Sequence, residues 1–336
     1  MRVIEIGGKF GIDSLQVVER PEPVPGPGQV VLSVRAVSLN YRDLLVVNGI
    51  NRWRPASARV PVSDAVGVVE ATGSGVSRVK QGDRVAPIFY PKWLEGEVSP
   101  GKLVSLLGGA VADGVFAEFV AVDETSVVPV PPHLSDEEAA TLPCAAVTAW
   151  NAVVCAGRFG PGDTVVVLGT GGVSVFAMQF AKMLGARVIV TSSSDQKLAR
   201  AAQLGASAGI NYASTDWPRA VLEITEGLGA DHVVDTVGDL GKAVTAARVG
   251  GSVAFVGLLT GMDSKVDLVA LMGKSARVQA IDVGSREMFM NMNRAIAFHA
   301  IRAVVDRVFD FSEAAQAFQH LAKAAHFGKI CIRISS

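Results

Sequence analysis

The residues whose spacing most clearly serves chemistry form a glycine-rich turn, Gly169-Thr170-Gly171-Gly172-Val173, in the middle of the chain. An apolar run, Val165–Leu168, precedes the turn and predicts a buried parallel strand, and apolar residues at helical spacing follow it. A strand, a glycine turn and a helix in this order let backbone N–H groups approach a pyrophosphate, which the helix N-terminus also attracts. The pattern therefore predicts a dinucleotide site built from these five residues.

The elements after the turn support this prediction, although Ser174 stands where the usual spacing has a third Gly or Ala. Taken alone, the turn is also compatible with an ordinary strand–helix connection. Further strands are predicted over 185–191, 231–238 and 251–257, and helical patterns separate them. Repeated strand–helix alternation is typical of a doubly wound parallel sheet, so the predicted class is α/β.

Composition limits the class of protein. A chain of 336 residues is expected to form about two domains, and a net charge of −1 without a basic block predicts no nucleic-acid partner. The N-terminus lacks the apolar core of a signal peptide, and no run of ~18 apolar residues predicts a membrane span. The three cysteines, Cys144, Cys155 and Cys331, lie in apolar surroundings, which indicates reduced, buried thiols and a cytoplasmic protein.

The first ~125 residues differ from the middle of the chain, because short Val-rich runs alternate with Pro and Gly, which predicts a β-rich unit. Ser135 and Glu138 have the spacing of a capping box and predict the start of a helix. Near the C-terminus the pattern predicts helices over about 286–300 and 312–325 and a strand over 329–333.

Several spaced segments together resemble the medium-chain dehydrogenase/reductase superfamily across essentially the whole chain. They are Pro25–Gly28, Ser38–Asp43, Val66–Glu70 with Gly73, Gly82–Val85, Leu142–Trp150, the glycine turn, and Gly328-Lys329. The resemblance implies a GroES-like substrate domain over 1–145 and 283–336, a Rossmann NADP-binding domain over 146–282, and an active site in the cleft between them. It also implies a homodimer that pairs the last Rossmann strands, around 277–281.

Many members of this superfamily bind a catalytic zinc through a Cys, a His followed by Glu, and a second Cys. The corresponding positions here are Asn40, Ser63 (followed by Asp64) and Cys144, and only Cys144 is a usual zinc ligand. Pro91–Glu97 occupies the segment that would carry the structural-zinc cysteines. We therefore expect no metal, and we expect Cys144 to be a small buried side chain.

Without a metal to polarise a carbonyl, reduction of a conjugated carbonyl is the favoured chemistry, because hydrogen bonds can stabilise the resulting enolate or hydroquinone oxygen. The predicted catalytic residues are Asn40, Tyr41 and Asp43, although an ion pair between Arg42 and Asp43 is an alternative role for that carboxylate. By family position, Thr148, Gly257, Leu258, Val283 and Gly284 would lie at the nicotinamide.

The expected cofactor is NADP(H). By the family's pattern, the acidic residue of NAD-specific sites falls on Ser192, where a hydroxyl would accept a 2′-phosphate. Ser193 and Lys197 are further predicted phosphate contacts. Tyr212 matches a position that contacts the adenosine phosphate in quinone oxidoreductase-like members of the family, so the resemblance implies a contact there as well. Three alternatives remain. Ser193 and Gln196 could form a capping box, Lys197 could be a solvated helix residue, and Asp195 could hold the ribose and favour NADH.

The predicted function is that of a zinc-independent, NADPH-dependent oxidoreductase acting on a small-molecule carbonyl substrate such as a quinone or enone. One alternative is a zinc-free NADP-dependent dehydrogenase of alcohols or aldehydes, although the sequence shows no obvious side-chain base for it. A second alternative is a non-enzymatic NADPH-binding sensor.

Overall fold

The computed structural model describes residues 1–104, 106–257, 259, 261 and 264–334. Backbone contacts divide the chain into two compact units. The first unit comprises Met1–Val147 with Gly284–Ser336, and the second comprises Thr148–Val283. The expected boundaries at 145 and 282 lie close to these divisions at 147 and 283.

The strands within these residues follow one another as β1 (Arg2–Ile6), β2 (Leu15–Glu19), β3 (Gln29–Leu39), β4 (Asp64–Thr72), β5 (Arg84–Pro87), β6 (Phe119–Asp123), β7 (Val127–Pro129), β8 (Thr164–Leu168), β9 (Arg187–Ser192), β10 (Ala208–Asn211), β11 (Ala230–Asp235), β12 (Ala247–Phe255), β13 (Arg277–Ala280), β14 (Val305–Asp310) and β15 (Lys329–Arg333).

The α-helices of the same residues are α1 (Tyr41–Val47), α2 (Asp136–Ala140), α3 (Val147–Trp150), α4 (Gly172–Met183), α5 (Asp195–Gln203), α6 (Trp217–Ile224), α7 (Leu240–Ala246), α8 (Leu268–Gly273), α9 (Arg286–Phe298) and α10 (Ala314–Ala322). Short π-helical segments, Leu142–Ala146 and Asn151–Cys155, flank α3.

The second unit is built on a six-stranded parallel sheet in the order β10-β9-β8-β11-β12-β13. Every residue of β8 is buried, as expected for a strand covered on both faces by helices. In chain order the strands are arranged 3-2-1-4-5-6, the doubly wound Rossmann order, in which ligands bind beyond the carboxyl ends of the strands where the order reverses. The predicted doubly wound sheet is confirmed, and its switch point lies between β8 and β11.

The first unit is built on a seven-stranded sheet in the order β14-β15-β3-β4-β5-β7, with β6 also paired to β3. The predicted GroES-like, β-rich unit is confirmed. β3 is the longest strand, and nine of its eleven residues are buried, because antiparallel neighbours and apolar side chains cover it along most of its length. The strand β15 runs antiparallel to β3, with Ile330 opposite Leu39 and Cys331 opposite Ser38.

The sequence predictions for the start of α2 and for the C-terminal strand are confirmed. Ser135 and Glu138 form the predicted capping box at the start of α2, and β15 has the predicted bounds. The helices α9 and α10 end earlier than predicted, and a 3₁₀ turn, Phe311–Glu313, replaces the expected first residues of α10.

The thiols do not share one environment. Cys331 is buried, Cys144 is only half-buried and Cys155 is exposed, so the expectation of three buried cysteines holds for Cys331 and is wrong for Cys155. Cys155 ends the π-helical segment after α3, where the chain turns toward the surface loop before β8. No helix among the described residues is long and apolar enough to cross a membrane.

Candidate active site

The glycine turn joins the end of β8 to the start of α4 at the switch point of the parallel sheet. Gly169 has φ of +77°, a left-handed conformation that favours glycine, and its N–H donates to Thr191 Oγ1 at 3.2 Å. A Cβ at Gly171, the N-cap of α4, would meet no atom within 4 Å. The open space beside the helix N-terminus fits the pyrophosphate of a dinucleotide.

Ser174, the departure from the usual glycine spacing, has a structural explanation. Its hydroxyl donates to the Leu168 carbonyl at 2.9 Å and lies 3.0 Å from Thr236 Oγ1. Thr236, just after β11, also donates to the Leu168 carbonyl, at 2.6 Å. The two hydroxyls therefore tie the end of β8 to the segment after β11. The sequence analysis missed Thr236, whose only signal is its position after a buried strand.

Gly257 lies where the chain after β12 passes close to the chain after β11. A Cβ at this position would overlap the backbone carbonyl of Thr236, so only glycine fits without a backbone shift. Gly257 therefore adds no side chain where these two segments meet. Leu258, the next predicted cofactor contact, lies outside the described residues.

The predicted phosphate contacts at the ends of β9 and β10 come together. Ser192 is buried, and its carbonyl accepts from the Tyr212 N–H at 3.0 Å. Tyr212 is 49% exposed, and Ser193 is exposed as well. A ligand at this edge would therefore meet the Ser193 and Tyr212 side chains from solvent.

The start of α5 differs from the capping box proposed for Ser193 and Gln196. Ser194 is the N-cap, and its hydroxyl accepts from the Lys197 N–H at 3.4 Å, so that assignment is wrong by one residue. Three successive serines offer chemically equivalent caps, and backbone geometry selects the last. The Asp195 carboxylate accepts from Asn211 Nδ2 at 2.7 Å.

The predicted nicotinamide contacts around α3 pack against the segment after β13. Thr148 Oγ1 donates to the Asp282 carbonyl at 3.3 Å, and Asn151 Nδ2 donates to the Val283 carbonyl at 2.7 Å. Separately, a Cβ at Gly284 would lie 2.6 Å from a methyl of Val147, so the chain passes that side chain closely.

The predicted catalytic residues Asn40, Tyr41 and Asp43 lie where β3 ends and α1 begins. Asp43 is fully buried: one carboxylate oxygen accepts from the Asn40 N–H at 2.8 Å and the other from Arg42 Nη1 at 3.0 Å. Burial raises the pKa of Asp43, against the influence of Arg42 and the Asn40 N–H. Tyr41 is 44% exposed. Asp43 therefore holds the start of α1, and the ion pair with Arg42 considered above is present.

Lys329 is the functional candidate that the sequence analysis did not select. Its ammonium is buried and donates to the Leu39 carbonyl and to Asn40 Oδ1, both at 2.5 Å. It reaches Asn40 because β15 pairs with β3, so the first residue of β15 lies beside the residue that follows β3. The signal that could have found it is a lysine at the start of an otherwise apolar strand, Lys329–Ile332.

Asp64, at the start of β4, completes the polar surroundings of Asn40 and Lys329. Its carboxylate accepts from Ser63 Oγ at 2.6 Å and from the Cys144 N–H at 3.0 Å. Burial raises the pKa of Asp64 to about 6, against the opposing influence of Lys329. We call Asn40, Asp43, Asp64, Cys144 and Lys329 the buried polar cluster.

The residues at the family's catalytic zinc positions do not fit a zinc ion. Asn40 Oδ1 accepts a hydrogen bond from the Lys329 ammonium, which would repel a divalent cation, and the Ser63 hydroxyl donates to Asp64. Burial raises the pKa of the Cys144 thiol well above its ordinary value, and the nearby charge of Asp64 adds to this effect. No three His, Cys, Asp or Glu side chains among the described residues form a metal-ligand group.

Two family models match this chain: the alcohol dehydrogenase GroES-like domain over residues 26–132 and the zinc-binding dehydrogenase family over 172–298. A zinc-type alcohol dehydrogenase-like protein of Schizosaccharomyces pombe is 38% identical, covering 96% of each chain.

Solved structures of dehydrogenases also superpose on this chain along nearly its whole length. An alcohol dehydrogenase of Sinorhizobium meliloti, so described from its crystal structure, superposes with a TM-score of 0.92 at 39% identity and 99% coverage of both chains. An NAD-dependent alcohol dehydrogenase superposes with a TM-score of 0.89 at 32% identity over all of both chains. The chain belongs to the medium-chain dehydrogenase/reductase superfamily and is an oxidoreductase of that family.

Proposed function

We infer that this chain is a zinc-independent, NADPH-dependent reductase of conjugated carbonyl compounds, such as quinones or enones. The observation that carries the proposal is the hydrogen bond from Lys329 to Asn40 at one of the family's zinc positions. An amide N–H group beside a buried cation can stabilise negative charge that develops on a substrate oxygen, so the reaction does not require a metal for this purpose.

Each residue of the first unit has a distinct proposed role. Asn40 donates a hydrogen bond to the substrate oxygen, and Tyr41, at the exposed start of α1, orients the substrate or supplies a proton. Asp43 positions Asn40 through the Asn40 backbone N–H. The nicotinamide supplies the hydride when the cofactor is bound.

The second unit is proposed to hold the cofactor through the glycine turn and α4, with Thr148, Gly257 and Val283 at the nicotinamide. Gly284, the first residue of the returning first unit, is proposed to lie there too. NADPH is favoured over NADH because the end of β9 carries Ser192 and no carboxylate at the position that would hold the ribose hydroxyls. Ser193, Lys197 and Tyr212 would surround the 2′-phosphate. NADH is the alternative, supported by Asp195 at the start of α5 and by the NAD-dependent relative.

A single assay tests the metal, cofactor and acceptor proposals together. EDTA-treated protein is mixed with NADPH or NADH and with 1,4-benzoquinone or 2-cyclohexen-1-one, and nicotinamide absorbance is followed. We expect faster oxidation of NADPH than of NADH and no effect of the chelator. Loss of activity after chelation would overturn the zinc-independent proposal.

An alcohol dehydrogenase is the second candidate, because one structural neighbour is named an NAD-dependent alcohol dehydrogenase and the Schizosaccharomyces pombe relative is named alcohol dehydrogenase-like. The zinc-free form of this candidate rests on the residues at the zinc positions. Reduction of NADP⁺ by a panel of alcohols, with no turnover of either conjugated acceptor, would favour it. NADPH binding without any turnover would favour a sensor.

We also propose a homodimer that pairs β13 with its copy. All four residues of β13 are exposed at the sheet edge, and Leu268, Val269 and Met272 of the neighbouring α8 are exposed apolar side chains. Light scattering after size-exclusion chromatography would give twice the chain mass. A Val278→Lys variant should shift the protein toward monomer, and a wild-type monomer at micromolar concentration would contradict the proposal.

A further inference from the structure

We propose that Lys329 is the positioning residue of the buried polar cluster, and that it sets the orientation of the Asn40 amide so that its NH₂ group, and not its oxygen, is presented to the substrate. This inference rests on the proposed function for the identity of the substrate. It assigns to Lys329 a role that acts through Asn40.

The chemistry of the two side chains determines the amide orientation. An ammonium group donates hydrogen bonds and accepts none, so the Asn40 atom 2.5 Å from Lys329 Nζ must be the amide oxygen. The Leu39 carbonyl, also 2.5 Å from Nζ, anchors the ammonium from a second direction. Rotation of the amide by half a turn would place its NH₂ group against the ammonium, which is unfavourable.

The consequence of this orientation is an available donor. Asn40 Nδ2 is buried, and no acceptor within the described part of the chain meets normal hydrogen-bond geometry with it, although a side-chain hydrogen bond from Asn40 toward Asp64 lowers the pKa of that carboxyl. An amide NH₂ group has two N–H donors, and a buried donor without an acceptor is unfavourable. One N–H is directed at Asp64, and a substrate oxygen that gains negative charge would provide an acceptor for the other. The adjacent ammonium charge would polarise the amide and strengthen its N–H donor.

The surroundings of Lys329 argue against a purely stabilising role. Its two hydrogen bonds go to uncharged oxygens, while the carboxylates of Asp43 and Asp64 in the cluster have other hydrogen-bond partners. Burial of an ammonium on neutral acceptors is a poor source of stability compared with an apolar side chain of similar length. The ammonium also lowers the pKa of the buried carboxyls of Asp43 and Asp64 through its charge, so only a readout at Asn40 itself separates a positioning role from this electrostatic one.

The test compares Lys329→Met with Lys274→Met as the matched control. Lys274, in the second unit, also donates to two backbone carbonyls, those of Thr245 and Ala247, but contacts no residue assigned to the site. Because loss of a donor to a developing oxyanion typically lowers kcat 100- to 1,000-fold, we expect a fall of about 100-fold for Lys329→Met. KM should change little, and Lys274→Met should retain kcat within about threefold.

A double-mutant cycle with Asn40→Ala shows whether Lys329 affects kcat through Asn40 or independently of it. If Lys329 acts through Asn40, adding Lys329→Met to Asn40→Ala lowers kcat no further. Fully multiplicative losses would overturn the proposal.

The amide can also be observed without turnover. In protein labelled with ¹⁵N-asparagine, the Asn40 side-chain NH₂ signal is assigned by its loss in Asn40→Ala. We expect Lys329→Met, and not Lys274→Met, to shift that signal and speed its solvent exchange. An unchanged signal in folded Lys329→Met would overturn the positioning role. If the wild type reduces neither acceptor, the proposed function fails, and this spectrum still decides whether Lys329 orients Asn40.

Discussion

The glycine turn of the second unit and the buried polar cluster of the first unit differ in the groups from which they are built. The turn consists of backbone and small side chains, and the hydroxyls of Ser174 and Thr236 tie the end of β8 to α4 and to the segment after β11. The cluster instead buries an ammonium and two carboxylates, and its geometry depends on which side chain bonds to which. The difference suggests that the turn tolerates exchanges of small side chains, whereas the cluster tolerates few.

The largest expected effect is the loss of kcat when Asn40 of the buried polar cluster is replaced. Asn40→Ala removes the donor proposed for the substrate oxygen, so kcat with 2-cyclohexen-1-one should fall about 100- to 1,000-fold, as for other oxyanion donors. NADPH affinity, measured by fluorescence titration, should stay within about twofold. Asn48→Ala, at the exposed end of the same helix, is the control and should keep full activity. Equal losses in the two variants would show that α1 is merely sensitive to substitution.

The next effect disturbs the backbone of the second unit where the chain after β12 meets Thr236, which bonds to the end of β8. Gly257→Ala places a Cβ on the Thr236 carbonyl, so the segments after β11 and β12 must separate. We expect NADPH affinity to fall at least tenfold, about 1.4 kcal/mol, by calorimetry. Gly273→Ala is the control in the same unit, because a Cβ there meets no atom within 4 Å. Unchanged NADPH affinity in Gly257→Ala would separate this segment from the cofactor site.

A smaller effect sharpens the difference between the two cofactors. Ser192→Asp places a carboxylate at the end of β9, where it would repel a 2′-phosphate and accept hydrogen bonds from a ribose. The ratio of kcat/KM for NADPH to that for NADH should fall about tenfold or more. Gln203→Asp adds the same charge at the exposed last residue of α5, at the other end of that helix from Asp195, and should leave the ratio unchanged. An unaltered ratio in Ser192→Asp would remove Ser192 from the phosphate site.

The smallest expected effect is on the pH dependence of stability, because His232 in the core of the second unit stays uncharged. Buried His232 bonds to Ser252 Oγ and the Ala152 carbonyl, and burial lowers its pKa to about 4. Unfolding restores a pKa near 6.5, so unfolding takes up a proton between pH 4 and 6.5 and stability falls as the pH falls through this window. Urea unfolding at pH 5 should show a slope about 1.4 kcal/mol per pH unit steeper than in His232→Gln.

Two comparisons make the His232 experiment interpretable. His299→Gln replaces an exposed histidine and should keep the wild-type slope. Asp64 makes stability depend on pH in the opposite direction. Its pKa of about 6 lies above the ordinary 3.8, so its contribution to stability is lost as the pH rises through 6. Identical slopes for wild type and His232→Gln would show that His232 is not held neutral.

The contrast also explains how far the sequence could predict the structure. The sequence of strand, turn and helix around Gly169 depends on neighbours within about 20 residues, so periodicity and glycine spacing were sufficient. The cap of α5 was missed by one residue because three serines are chemically equivalent there. The exposed Cys155 was missed because apolar neighbours in sequence do not decide which side of a turn faces solvent.

Lys329 could not be selected from spacing, because 289 residues separate it from Asn40. Its role depends on the pairing of β15 with β3, a long-range contact that leaves no local pattern. Family resemblance identified the Gly328-Lys329 segment but not the partner of the ammonium. The sequence therefore predicted local backbone structure, such as the glycine turn, more accurately than side-chain contacts between residues far apart in the chain.

The pairing of β15 with β3 also has a consequence for how the molecule is made. At 5–20 residues per second, a ribosome would add Lys329 about 15 to 60 seconds after Asn40. The parallel sheet of the second unit is synthesised in that interval and can fold first. A nascent chain would thus complete its parallel sheet before its buried polar cluster, and a chain terminated ahead of β15 would carry the proposed cofactor site without the Lys329 ammonium.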